Sequence, residues 1–447
     1  MINPSLSLQV ATTVVCALLL LMLPGMGRCE TLREAVAAVL AVNPDVMGAK
    51  ARVGAAQSQF DQARAGRWPT LDYRAGGGQE ETDSVITRSQ GRRSPIALGR
   101  NEESLTLRLM LYDGKKVSNE VRRGAFAVDS QVAHRSDAKE AAAQDVVNVY
   151  LDVLRAQELL VNTESLVTAH ADMATKTAWR FKRGVGTRAD AQLAEGRMAS
   201  ASTTLVSQQA RLASARVAYQ RAVEHMPDML KPVTSPDSMP ASEQQALDEA
   251  LAHHPNCIAV DADIAAAQAA LDGARSRYLP QLDFELGTSR TRNVNGIQGV
   301  NNSRSAMLQL NYNLFRGGGD EARVGELVEQ LNIATELRHK THVAITEEVS
   351  RAWIEIDAAR RRLVLLEGHL ASSEGVLEAY RAQYEVDRRT LLDTLSAESE
   401  MYQAKNDLAN GRYDLLAAQY RLLGAMGVLV KSFGLVEENA FESTAND

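Results

Sequence analysis

Two charged segments that lie 203 positions apart contain the side chains best suited to specific polar contacts. Residues 180–192 include Asp190, and residues 383–395 include Arg389 and Asp393. Arginine and carboxylate side chains form charge-assisted hydrogen bonds, which can hold two segments together until another protein replaces them. The alternative is a set of solvated charges on helix surfaces. That alternative is favoured for the basic residues of the first segment, Lys182, Arg183 and Arg188.

Other motifs that could support catalysis lack the surroundings that their chemistry requires. The letters of Gly184–Ala189 fit a dinucleotide-binding fingerprint, but they follow a helical pattern where that motif needs a strand. His339 and His342 could share a metal, yet no third ligand occurs at a useful spacing. Cys257 lies in an apolar helical pattern and is predicted to be a small core residue. The sequence therefore predicts no enzyme, no cofactor and no metal site.

The composition favours long helices over an aromatic core. Of the 447 residues, 45% are hydrophobic but only 5% are aromatic, and charged residues make up 23%. Sequence that is rich in alanine and in charge suits helices that pack closely together. The net charge of −7 argues against a nucleic-acid partner, because such partners usually require a basic face.

The first 29 residues are predicted to be a secretory signal peptide. An apolar run from Val10 to Leu23 precedes small residues that allow cleavage after Gly27 or after Cys29. A membrane anchor is the alternative, but the run is short for one. Lipid attachment at Cys29 is a further alternative, for which the preceding Arg28 is a poor fit. We expect an exported protein.

The mature chain contains an internal repeat. Residues 35–73 align with residues 246–284 without a gap, and a later strand-like stretch repeats at an offset of 203. We therefore divide the chain into a first repeat, a linker, a second repeat and a polar tail. Their predicted bounds are 30–226, 227–242, 243–430 and 431–447.

Each repeat is predicted to contain two strands, because apolar and polar residues alternate there. The strands are expected at about 70–78, 104–112, 281–290 and 305–315. One face is leucine and aromatic and the other is polar, as in the wall of a membrane barrel, although an ordinary hairpin packed on helices is the alternative. Four strands cannot close a barrel, so a barrel would require several chains.

Very long helices follow the strands. Residues 115–182 and 318–385 each run 68 positions without proline, which corresponds to roughly 100 Å of helix. Helical segments at 188–226 and 390–428 return from them. The predicted fold class is mainly α with a small β part, built as a duplicated helix–strand–strand–helix–helix unit.

The repeat, the strand positions and the two turn segments together resemble the TolC family of outer-membrane export channels. The resemblance implies a homotrimer that forms a 12-strand outer-membrane β-barrel, continuous with a long periplasmic α-helical barrel. It also implies contact with outer-membrane lipid, docking of a periplasmic adaptor protein, and an inner-membrane transporter of the ABC type or driven by protons. The sequence of the second turn segment is most similar to that of the channels of type I secretion.

The resemblance also assigns roles to residues of the turn segments. Asp190, Tyr384 and Arg389 match positions that hold the periplasmic tip shut, and Asp393 matches an acidic position that lines the pore. The family's next acid is Ser396 here, and Asp387 replaces a turn glycine, although Asp tolerates a left-handed backbone better than most residues. The residues expected to dock the adaptor are Gly184, Val185, Gly186, Thr187, Asp387, Arg388 and Thr390.

Two other classes of protein share some of these features. A periplasmic adaptor also has long antiparallel helices, but it would have one helical hairpin between β-rich domains. An exported structural coiled coil would show unbroken heptads and would not need paired strands. The sequence does not identify the exported cargo.

Overall fold

The computed structural model describes residues 29–89 and 95–435. Helices dominate, and no helix in these two ranges is long and apolar enough to cross a membrane. The predicted signal peptide, except for Cys29, and the end of the predicted tail from residue 436 lie outside the described residues.

The first repeat begins with a short strand, two helices and a long hairpin of strands. In order these are β1 (Cys29–Glu30), α1 (Leu32–Val42), α2 (Pro44–Ala65), β2 (Thr70–Thr82), α3 (Val85–Ser89) and β3 (Ile96–Tyr112). Then come the long helix α4 (Lys116–Lys182), the return helix α5 (Arg188–Val223) and the short strand β4 (Met229–Leu230).

The second repeat has the same order of long elements. It consists of α6 (Glu243–His253), α7 (Pro255–Arg275), a 3₁₀ turn (Ser276–Tyr278), β5 (Gln281–Arg292) and β6 (Val300–Asn311). The long helix α8 (Gly319–Glu385), the return helix α9 (Leu391–Ala425) and the short α10 (Leu429–Ser432) complete it. The predicted duplication of helix, two strands and two helices is confirmed.

Two consecutive helices form the helical stretch that is predicted at the start of each repeat. Asn43 separates α1 from α2, and its side-chain oxygen accepts hydrogen bonds from the backbone N–H groups of Asp45 and Val46. Pro44 disfavours a helical conformation in the residue before it, so the helix must restart at this point. His254 and Pro255 repeat the arrangement at the start of α7.

The predicted strand ends are partly wrong. All four strands extend further into the polar segments than expected, because polar residues pair in the ladder as well as apolar ones. The fourth strand ends at Asn311 and not at residue 315, although apolar alternation continues. Its partner β5 begins only at Gln281, which pairs with Asn311, so residues 312–315 have no partner strand.

The described residues divide into two compact units, the first of which contains residues 29–47, 138–252 and 345–435. Its core includes Val146, Tyr150, Tyr219 and Leu423, all buried. The predicted linker is more than a connection, because β4 pairs in parallel with β1. The Tyr150 hydroxyl donates to the carbonyls of Glu30 and of Lys231, 2.8 and 2.9 Å away.

The C-terminal end of this unit is also held in place. Glu140 of α4 accepts hydrogen bonds from the backbone N–H groups of Leu429 and Val430, at the start of α10. Tyr420 stacks on Phe433, with ring centroids 5.8 Å apart. The boundary predicted between repeat and tail at 430/431 is therefore wrong, because α10 crosses it.

The second unit contains residues 48–89, 95–137 and 253–344. Its four long strands form one antiparallel sheet in the order β2-β3-β5-β6, so the two hairpins of the two repeats pair with each other. Within this sheet β2 and β6 are the edge strands. Cys257 is buried in this unit, as predicted, and burial raises the pKa of its thiol.

Candidate functional site

The two helix-to-helix turns of the first unit have the same backbone structure. Gly184 and Asp387 both have a left-handed backbone, with φ of 75° and 54°. The N–H of Gly184 donates to the carbonyl of Phe181, and the N–H of Asp387 donates to the carbonyl of Tyr384. The next N–H in each turn bonds one residue further back, which completes a Schellman motif. The expected left-handed Asp387 is confirmed. We call residues 177–195 and 380–395 the turn pair.

Threonine side chains begin both return helices. The Thr187 hydroxyl accepts from the N–H of Asp190 at 3.0 Å, and the Thr390 hydroxyl accepts from the N–H of Asp393 at 3.2 Å. Asp393 in turn accepts from the backbone N–H of Thr390, so a complete capping box forms there. Both acids predicted to line a gate therefore also stabilise the first turn of a helix within their own chain.

An ion pair connects the two turns. Arg180, near the end of α4, donates to the carboxylate of Asp387 at 2.7 Å. Its guanidinium also lies 5.7 Å from the centroid of the Tyr384 ring. The pair is exposed, with the Asp387 side chain 73% accessible, so it orients the turns more than it stabilises the fold.

Arg389 is oriented by three neighbours within its own chain. Its guanidinium carbon lies 4.2 Å from the centroid of the Tyr380 ring, and its Nε donates to the Gln383 side-chain oxygen at 3.0 Å. Its ion pair with Asp393 is longer, at 3.7 Å. These contacts hold the planar group in one place, which lowers the entropy lost when it binds another carboxylate.

Hydrogen bonds from Thr390 and the nearby charge of Arg389 lower the pKa of the Asp393 carboxyl below its usual range. The largest cause is the bond from the Thr390 side chain. Asp393 therefore carries its negative charge throughout the neutral and mildly acidic range.

A groove of about 460 Å³ opens between the two turns. Nine of the eleven residues that the sequence assigned to a gate or to a docking tip line it; Arg388 and Asp393 do not. The nine are Gly184, Val185, Gly186, Thr187, Asp190, Tyr384, Asp387, Arg389 and Thr390.

The groove does not pair the predicted latch residues within one chain. The Asp190 carboxylate accepts a hydrogen bond from the Thr187 hydroxyl at 2.7 Å, and the Asp190 backbone N–H donates to the same hydroxyl. Among the residues that the structure describes, Asp190 makes no hydrogen bond with Tyr384 or Arg389. A small apolar cluster supports the groove, with Ala194, Leu391 and Leu395 buried beneath it.

Sequence reasoning missed two kinds of residue in the turn pair. Arg180 was not singled out, because its partner Asp387 is 207 positions away and nothing local indicates the pairing. The capping role of Thr390 and Asp393 could have been found, since the spacing of Thr or Ser and an acid three residues later is a recognised helix start. Among the described residues, no group of three or more potential ligands could hold a metal ion.

Comparison with known proteins gives consistent matches over both repeats. The family model described as "Outer membrane efflux protein" matches residues 35–224 and 246–428. The outer membrane efflux protein BepC of Brucella suis is 25% identical over 66% of this chain, which spans 65% of that relative's length. The outer membrane protein TolC of Escherichia coli is 23% identical over 86% of this chain and 79% of its own length.

A relative from Pseudomonas aeruginosa, named alkaline protease secretion protein AprF, is 24% identical over 77% of this chain and 74% of its own length. Among solved structures, CusC superposes with a TM-score of 0.77 at 16% identity, over 89% of this chain and 92% of that one. The outer membrane protein VceC of Vibrio cholerae has a TM-score of 0.75 at 18% identity, over 89% and 96%. At these identities the structural matches establish the fold.

Proposed function

The chain belongs to the outer membrane efflux protein family, and on that premise we propose that it is the outer-membrane duct of a tripartite export system. It is a channel protein of the outer membrane that extends into the periplasm, and it is not an enzyme. In the proposed system an inner-membrane transporter and a periplasmic adaptor deliver protein or small-molecule cargo to the duct. The adaptor and coiled-coil alternatives are set aside, because the family model covers both repeats.

The four-stranded sheet is the observation that carries the proposal. Its leucine side chains are exposed in the single chain, with Leu71, Leu308 and Leu310 accessible to 63%, 65% and 66%. Its edge strands β2 and β6 have no partner on their outer sides among the described residues. Lipid against the leucine face and neighbouring copies at both edges would satisfy both features, and three copies would supply 12 strands.

The turn pair is the proposed closed end of the duct in the periplasm. Arg389 is held at a groove that also contains Asp190 and Tyr384, so a second copy can supply the contacts that these residues do not make with one another within one chain. Three copies would place three Asp393 carboxylates around the pore, where they would favour cations over anions. Docking of the adaptor on the exposed turn residues would replace the contacts between copies and open the tip.

A cross-linking experiment tests the proposed contact. Asp190→Cys combined with Arg389→Cys should give covalent dimers and trimers on a non-reducing gel after mild oxidation of outer membranes. Exposed Cys29 is replaced by Ser in both variants, whereas Cys257 is buried and can remain.

The matched control is Asp190→Cys combined with Arg388→Cys, because Arg388 does not line the groove although it is the next residue. The control should remain monomeric on the gel. Monomers alone from the first pair, or equal yields from both pairs, would argue against a latch between copies.

A further inference from the structure

The residues on the leucine face of the sheet change from apolar to charged along the strands. The register aligns Leu71, Leu107, Leu286 and Ala306 as neighbours in one row across the four strands. Side chains two residues apart on a strand lie on the same face, so the neighbouring rows of this face follow directly. Rows nearer the helices hold only apolar residues on this face, for example Leu109, Phe284 and Leu308.

Three arginines appear on the same face in the rows nearer the strand-connecting loops. Arg304 lies in a row with Tyr73, Leu105 and Thr288, and the next two rows contain Arg290 and Arg292. Arg290 is therefore a diagonal neighbour of Arg304, roughly 7–8 Å away. Arg292 follows Arg290 by two positions on the same strand, roughly 7 Å further along.

These three arginines have no protein partner among the residues that the structure describes. All three are exposed, and neither an ion pair nor a hydrogen bond joins their side chains to any part of the chain that the structure describes. The same three rows hold one acid, Glu103, opposite Arg290 on β3. By contrast, Arg108 on the other face is paired with Glu285 at 3.2 Å. Three positive charges against one negative charge leave this part of the leucine face cationic.

An open apolar groove of about 490 Å³ adjoins the arginines on the same face. Leucine side chains form its walls, and the small side chain of Ala306 lies where the other three strands of that row carry leucine. Arg304 and Thr288 line it as well. A groove of this kind accepts a hydrocarbon chain while a guanidinium beside it binds an anionic group.

We propose that this surface binds a phosphorylated glycolipid of the outer leaflet, of the lipid A type. One acyl chain lies in the groove, and the phosphates bind Arg304, Arg290 and Arg292. The inference rests on the proposed function, since it requires the leucine face to meet lipid and the loops to lie on the outer side. The position of the arginines near the ends of the strands agrees with a site in the outer leaflet. A charged side chain on a lipid-facing strand is tolerated near the headgroups and disfavoured at the membrane centre. A soluble anion would make no use of the adjoining groove.

The test uses the full-length protein purified in mild detergent, with native mass spectrometry as the measurement. The probes are lipid A with two phosphates and the same lipid after removal of both phosphates. The variant Arg290→Gln with Arg292→Gln and Arg304→Gln should bind bisphosphorylated lipid A at least about tenfold more weakly than the parent. Arg74→Gln is the matched control, because Arg74 is an exposed arginine on the opposite face of β2, without a partner among the described residues.

A second variant tests the acyl groove separately. Ala306→Phe fills the groove and leaves all three arginines in place, so it should weaken binding of both lipid probes. Equal binding of bisphosphorylated lipid A by the parent and the triple variant would overturn the proposal. Displacement of the lipid by millimolar inorganic phosphate would also overturn it, because the site would then be one for soluble anions.

The same preparations separate this inference from the proposed function. Particle mass and ion conductance in planar bilayers are recorded for each variant. Loss of lipid binding by the triple variant in a three-chain, conducting particle supports the lipid site. Conducting particles with no preference for phosphorylated lipid contradict the lipid site alone, whereas non-conducting monomers contradict the duct itself.

Discussion

Replacing Arg389 with serine should open the proposed tip. The side chain is held by the Tyr380 ring and by Gln383, and it lines the groove that contains Asp190. Arg389→Ser removes the guanidinium that would bind a carboxylate of the neighbouring copy. In a trimer the closed tip would lose three such contacts, whereas the open tip would lose none, so the variant should destabilise the closed tip relative to the open one.

The expected size follows from the exposure of Arg389. Its side chain is 38% accessible, so the proposed bond to Asp190 of a neighbouring copy belongs with exposed ion pairs, which contribute about 0.2–1 kcal/mol each. Three such pairs give about 0.6–3 kcal/mol, and the fixed orientation of Arg389 favours the upper half of that range. The ratio of open to closed tips should therefore rise by about twentyfold to a hundred-and-fortyfold.

The assay is ion conductance of the purified protein in planar bilayers, with particle mass checked for each preparation. Arg183→Ser is the matched control. The Arg183 guanidinium lies 3.8 Å from the centroid of the Trp179 ring, so the control removes a comparable stack, but Arg183 does not line the groove. Unchanged conductance of an intact Arg389→Ser trimer would refute the latch, and an equal rise in the control would show that any loss of stacking loosens the turns.

Three further predictions concern single positions. Hydrogen bonds to ionised Asp393 lower its pKa. The helix-cap stability that this carboxylate supplies should therefore be present above its unfolded pKa of about 3.9 and lost as the pH falls through the lower folded value. In thermal unfolding at pH 3–7, the loss of stability caused by Asp393→Asn should be smallest at the acidic end. Glu140→Gln should weaken the attachment of α10 by about 1–2 kcal/mol, because an amide is a weaker acceptor than a carboxylate for two buried N–H groups. Faster tryptic cleavage after Lys431 would measure the release of α10. Gly114→Ala should destabilise the protein by about 1–3 kcal/mol in urea unfolding, because φ is 68° and the new Cβ would lie 2.7 Å from the Leu279 Cβ; an unchanged midpoint would contradict that reasoning.

The features that sequence could predict are those expressed by local periodicity. The two long helices were placed within one residue of their observed ends, because 67 residues of uninterrupted helical pattern leave few alternatives. Asp387 was expected to be left-handed because it replaces a turn glycine of the family that the sequence resembles, and its φ is 54°.

The features that sequence could not predict depend on pairing across the chain. The end of β6 was placed too late, since residues after Asn311 alternate correctly but have no strand beside them. Arg180 was missed because its carboxylate partner belongs to the other repeat. The short strand β4 was missed because its two residues pair with Cys29 and Glu30, which lie about 200 positions earlier in the sequence. In each case the deciding contact is between residues distant in sequence.

The most direct test of the duct is the mass of the native particle extracted from outer membranes in mild detergent. The four-stranded sheet with exposed leucines and two unpaired edges predicts a detergent-dependent particle of three chains. A monomer or a dimer that remains soluble without detergent would contradict the shared barrel, and with it the proposed gate at the turn pair.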